Sequence, residues 1–169
     1  LRKAVANVNK KQGGMCQGFK DVRKALEDPE LDAISIATPN HWHSLMTIWA
    51  AQAGKHVYVE KPLAHTFNEI TLMMAAEKKY KVACQMGNQG HSGANYHQFK
   101  QWKEAGVIKN VKRVDAFMNS GRRWHPWKFD EWQTGEKMPE GMDWDTWLGT
   151  APEHPYSKYL HPGNWRSWF

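Results

Sequence analysis

Glu60 and Lys61 stand side by side at the end of a short apolar run, Val57-Tyr58-Val59, and Pro62 closes it. A carboxylate beside an ammonium can fix hydroxyl groups and move protons, because the acid accepts hydrogen bonds and lysine is a ready proton carrier. Placement decides whether that chemistry is used. In an open parallel sheet, ligands bind in the crevice outside the carboxyl ends of the strands. The proline stops a hydrogen-bonded ladder at that point, so the pair sits at a strand end. Other chemical candidates are weaker. His41, His43, His56, His65 and His91 match no zinc spacing and no cysteine or acid completes a set, so no metal is expected. No nucleophile-elbow sequence is present.

The elements that position the pair follow from punctuation and periodicity. Residues 32–37 form another nearly continuous apolar run, ending in Thr38-Pro39-Asn40. A helix is expected from His43 to Ala53, with Leu45, Ile48 and Trp49 at helical spacing and Gly54 at its C-terminal stop. Strand, helix and strand within this span make a βαβ unit, whose crossover is right-handed. Strands are therefore expected at 32–37, 56–59 and 82–86, adjacent and parallel, with Thr38, Glu60 and Asn88 opening onto one crevice.

Around this core, a helix is expected over residues 1–12 and a short strand from Met15 to Phe19, after the Gly13-Gly14 turn. Asp21 caps a helix reaching Glu27, ahead of Pro29. Helices are also expected from Thr66 to Lys79 and from Gly93 to Ala105. The pattern is α/β, a doubly wound parallel sheet, here a partial Rossmann-type domain over 1–106. Residues 107–169 read as the start of a second, α+β domain, opening on a strand from Val111 to Asn119. Eight of the ten tryptophans lie at Trp102 or beyond, so this part is expected to pack its aromatics over a sheet edge, to cover a site, or both.

The 169 residues can bury one respectable core. No apolar run approaches membrane-spanning length, and no membrane association is expected. The net charge of +6 comes from lysines and arginines scattered along the chain, without a basic run or nucleic-acid motif, so no nucleic-acid partner is expected. Cys16 and Cys84 stand apart and read as free thiols. The first residues have neither an initiator methionine nor a signal-peptide core, and the chain is expected to be the middle portion of a longer protein. Cytoplasm and periplasm both stay open.

Three separated segments, Thr-Pro-Asn-His-Trp-His at 38–43, Gly-Lys-His-Val-Tyr-Val-Glu-Lys-Pro at 54–62 and Trp-Asp-Thr-Trp-Leu-Gly-Thr-Ala-Pro at 144–152, resemble the Gfo/Idh/MocA oxidoreductases. That family is named after glucose-fructose oxidoreductase and inositol dehydrogenase. The resemblance implies NAD or NADP as cofactor, a sugar or polyol substrate, carbohydrate metabolism of bacterial type, and a homo-oligomer for the intact protein. It places Lys61 near the reacting carbon and the nicotinamide, as catalytic and substrate-binding residue. Glu60 would hold the nicotinamide ribose, and Pro62 would orient the lysine through a cis peptide bond. Thr38, Pro39, Asn40 and His43 would line the cofactor. Asn88 would approach substrate and Gln89 the nicotinamide, while Trp165 and Arg166 match a pair that contacts the cofactor in relatives.

The resemblance has two gaps. No G-x-G-x-x-G phosphate loop occurs in this sequence, nor the acid that binds the adenosine ribose. The later segment in which relatives carry Asp and His, the latter often an acid/base, does not occur either. The function implied is hydride transfer between NAD(P) and a hydroxyl-bearing carbon of a sugar, polyol or glycoside, by the intact protein rather than by this chain alone. The alternatives are an NAD-dependent glycosidase of the same family and a redox-inactive sugar-binding or interaction module on the same scaffold.

Overall fold

The computed structural model describes residues 1–117, 135–158, 160 and 165. They fall into two compact units, Leu1–Gly87 and Asn88–Phe169. The first opens with helices α1 (Arg2–Gln12) and α2 (Val22–Leu26), and Asp21 caps α2 by accepting from the Arg23 amide. Three apolar runs then become strands: β1 (Ala33–Ile36), β2 (His56–Glu60) and β3 (Cys84–Gly87). They pair in parallel in the order β1-β2-β3, with Ile36 opposite Val59 and Glu60 opposite Gly87. Parallel neighbours need a crossover, because the chain must return to the start of the next strand. Helices α3 (His43–Gln52) and α4 (Phe67–Tyr80) supply the two returns.

Side chains alternate along the strands, and the alternation selects the core. Val57 and Val59 of β2 are buried, while Tyr58 between them is 38% exposed. Ile36, Val57 and Val59 pack with Leu26, Ala50 and Met73 into one cluster, and Ala51, Ala76 and Val82 form a second. Burying each such Val or Ile contributes about 1.5–3 kcal/mol relative to exposure, so the sheet is held chiefly by this helix-covered face.

Local signals fix the helix ends. After α3, Gly54 takes φ 74°, the left-handed turn that glycine enters without a Cβ clash. Thr66 opens α4 with a reciprocal capping box: its hydroxyl accepts from the Glu69 amide, and the Glu69 carboxylate accepts from the Thr66 amide.

The second unit holds a 3₁₀ turn (Gln89–Ser92), helix α5 (Ala94–Glu104) and the short helix α6 (Trp144–Leu148). Helix α5, grouped by the sequence with the dinucleotide-binding part, falls in this unit. Trp144, Leu148, Leu160 and Trp165 form its buried cluster. Trp144 stacks on Trp147 with centroids 4.7 Å apart, and its indole N–H donates to the His154 carbonyl at 2.6 Å.

Two expected strands are corrected. Residues 15–19 take no strand pairing, and Met15 is 97% exposed. Residues 111–117 are likewise irregular, while the end of that expected strand lies outside the described residues. Both runs carry β-type residues, but a strand exists only by hydrogen bonding to another, and among the described residues neither has such a neighbour. Helix α6 is the opposite case. Asp143 caps it by accepting from the Thr146 amide, and Gly149 follows it, inside a stretch whose tryptophans hide the helical signal.

Candidate active site

The parallel register brings the carboxyl ends of β1 and β2 to the same edge of the sheet. β1 leads into Thr38, Pro39 and Asn40, and Asn40 starts a 3₁₀ turn that runs directly into α3. β2 ends on Glu60, with Lys61 and Pro62 next. The Lys61–Pro62 bond is cis, as the resemblance implies. Glu60 is half-buried, and its carboxylate accepts from the Lys61 amide at 3.3 Å. Lys61 itself is exposed. An acid at the strand end and an exposed cation next to it offer an acceptor and a donor suited to hydroxyl groups.

The segment carrying Lys61 is fixed from several directions. Downstream, Leu63 and Ala64 pack against the hydrophobic core. Beyond them the Glu69 carboxylate accepts from the His65 amide at 2.7 Å and the Thr66 amide at 3.0 Å. Sequence reasoning passed over Glu69, although Thr-x-x-Glu at 66–69 is the pattern of a capping box. Upstream, His43 is 1% exposed, with Nδ1 2.7 Å from the Pro62 carbonyl oxygen and Nε2 3.0 Å from that of Thr38. Both ring nitrogens of His43 are thus engaged by backbone.

Thr38 contributes another polar atom at this edge. Its Oγ1 is buried and has no hydrogen-bond partner, an arrangement that costs about 1–3 kcal/mol unless a ligand or water completes it. Gly87, opposite Glu60, ends β3 under the Tyr58 ring. A Cβ there would lie 2.8 Å from the Tyr58 hydroxyl oxygen, so the close approach of the ring needs glycine.

The remaining predicted residues belong to the second unit. Asn88 directly follows β3, and its carbonyl accepts from the His91 amide at 3.1 Å. Gln89 starts the 3₁₀ turn. Trp165 is 2% exposed, in edge contact with Trp147 inside the aromatic cluster. Arg166 lies outside the described residues. Among the described residues, no group of three or more His, Cys, Asp or Glu is arranged to hold a metal ion, and no helix is long and apolar enough to cross a membrane.

Comparison with known proteins agrees with this geometry. Residues 3–88 match the model of the GFO_IDH_MocA oxidoreductase family, described as an NAD-binding Rossmann fold. Levoglucosan dehydrogenase of Pseudarthrobacter phenanthrenivorans is 39% identical over 89 residues, 48% of this chain and 23% of that protein. A glycosyl hydrolase family 109 protein of Shewanella pealeana is 26% identical over 157 residues, 88% of this chain and 32% of that one. The crystal structure of myo-inositol 2-dehydrogenase from Lactobacillus plantarum superposes with a TM-score of 0.55 at 28% identity, covering 60% of this chain and 30% of that one. The chain thus spans less than a third of the length of each of these relatives. With a parallel sheet that carries Glu60, Lys61 and a cis Pro62 at the carboxyl end of its middle strand, and with the family match over residues 3–88, this chain belongs to the Gfo/Idh/MocA oxidoreductase family.

Proposed function

We propose that the protein carrying this chain is an NAD(P)-dependent oxidoreductase that moves hydride between the cofactor and a carbinol carbon of a sugar, polyol or glycoside. The observation that carries the reading is the placement of Glu60 and Lys61 at the carboxyl end of the middle strand of a parallel sheet. A nicotinamide held there by these strand-end residues would supply the hydride chemistry.

The residues present suit the nicotinamide side of such a cofactor. The orphaned Thr38 Oγ1 offers a buried polar atom to an amide or ribose hydroxyl. By the family resemblance, Glu60 would accept from ribose hydroxyls, and Pro39 and Asn40 would line the cofactor. Lys61 binds the substrate hydroxyl and handles its proton as the carbon changes oxidation state, a contribution of about 10²–10⁴-fold for a positioned acid–base group. The roles of Asn88, Gln89, Trp165 and Arg166 at substrate and cofactor likewise rest on the family resemblance. The pyrophosphate would be held by backbone N–H groups of a Gly-rich loop, and this sequence has no G-x-G-x-x-G.

Names among the relatives support a carbohydrate substrate: one is a levoglucosan dehydrogenase and another a myo-inositol 2-dehydrogenase. The decisive assay supplies the intact protein with NAD or NADP and a panel of inositols, hexoses and anhydrosugars, and follows nicotinamide reduction. Reduction with one class of carbinol is expected. Tight sugar binding with no reduction of either cofactor would instead favour a redox-inactive binding module.

One observation favours a second reading. The similarity to the glycosyl hydrolase family 109 protein extends over 88% of the chain, past the first unit. An NAD-dependent glycosidase on this scaffold would release an aglycone with no net change in cofactor, so a chromogenic glycoside separates the two.

A further inference from the structure

His43 is a buried polar group to which the proposed reaction assigns no step. Its ring sits between two chain segments that meet only because β1 and β2 pair in parallel: the exit of β1, through the Thr38 carbonyl, and the exit of β2, through the Pro62 carbonyl. At 1% exposure the ring has no open face for a ligand, and neither ring nitrogen is left over. A carbonyl oxygen only accepts, so each neutral tautomer donates to one of the two and the doubly protonated ring donates to both. A neutral ring therefore bonds the Thr38 or the Pro62 carbonyl, and only the doubly protonated ring ties the two together.

Resting on the oxidoreductase reading above, we propose that His43 is a positioning residue that clasps the Thr38 turn to the Lys61–Pro62 turn. Its Nδ1 side sets where Lys61 stands, and its Nε2 side sets where Thr38 stands. Lys61 has an exposed, flexible side chain, so its placement depends on its backbone. The Glu60 carboxylate accepts from the Lys61 amide, and downstream that backbone is held by Leu63, Ala64 and the Glu69 carboxylate, with the Pro62 carbonyl the downstream hold nearest the lysine. Misplacing a reacting group by about 1 Å can cost about 10²-fold in rate.

The two arms can be separated in the intact protein. His43→Asn keeps an amide donor near the Nδ1 position, His43→Gln keeps one near the Nε2 position, and His43→Phe keeps the ring volume with neither. Amide hydrogen exchange reads the clasp without requiring activity. His43→Phe should speed exchange at both Asn40–Trp42 and Leu63–His65. His43→Asn should restore protection only at Leu63–His65, and His43→Gln only at Asn40–Trp42. In steady-state kinetics, His43→Asn should keep kcat within a few fold and raise KM for the cofactor. His43→Gln and His43→Phe should lower kcat by about 10²-fold. Equal exchange and equal kcat and KM changes in all three variants would overturn the proposal, since a purely structural histidine predicts that uniformity. If the variants show the exchange pattern but wild-type protein gives no nicotinamide reduction, the oxidoreductase reading falls and takes the kinetic arm with it, while the clasp stands.

Discussion

At the scale of single residues, environment sorts groups that look alike in the sequence. Glu60 and Glu77 are both acids beside β-strands, yet one ends β2 at its carboxyl end and the other bonds back to the protein. The Glu77 carboxylate accepts from the Cys84 amide at 3.1 Å. Burial, and then the nearby Glu77 charge, push the Cys84 thiol above its usual range. The thiolate is the reactive form, so Cys84 should alkylate more slowly than free glutathione at neutral pH. Glu77→Gln keeps the hydrogen-bond acceptor and removes the charge, so it should speed alkylation severalfold. Mass spectrometry of a timed iodoacetamide reaction reads both rates; identical rates in the two proteins would show that the carboxylate does not act on the thiol. The positions of Thr38, Glu60, Lys61 and Pro62 were legible because strand-end chemistry follows from the order of apolar run, polar pair and proline. The place of His43 was not legible. Its contact with the Pro62 carbonyl spans nineteen positions and exists only after two strands have paired.

At the scale of elements, the sheet and its crossovers do most of the positioning. The capping box at Thr66 both starts α4 and ties down the run leaving Pro62. Thr66→Ala should therefore lower stability by about 1 kcal/mol, within the usual range for lost N-caps, read as a shifted urea midpoint with unchanged slope. Ile36 is 1% exposed in the middle of the core, and Ile36→Ala should cost about 2–5 kcal/mol by the same measurement. A loss as small as that of the cap would mean the sheet face is not the core described. Elements governed by local signals could be read from the sequence: α2 from Asp21, α3 from Gly54, α4 from Thr66. The strands expected at 15–19 and 111–119 could not be judged locally, because a partner decides whether an extended run becomes a strand. Helix α6 carried its own cap and stop, Asp143 and Gly149, but composition outweighed them.

At the scale of the molecule, the proposed function makes this chain one side of a dinucleotide site. Its sequence has the strand-end residues suited to a nicotinamide and lacks the Gly-rich turn that would anchor a pyrophosphate. The 169-residue chain by itself should therefore bind neither NAD nor NADP tightly. Calorimetric titration of the purified chain tests this, and low-micromolar binding would show that the phosphates are held by residues other than a Gly-rich helix start. Lys61 stands at the centre of the account, beside a carboxylate at the end of the middle strand. The most direct test is Lys61→Ala in the intact protein, with turnover and cofactor affinity measured on the same preparation. Turnover should fall by about 10²–10⁴-fold with cofactor affinity nearly unchanged. Near-normal turnover accompanied by lost cofactor binding would contradict it, and would make Lys61 an anchor for the cofactor instead of the group that handles the substrate proton.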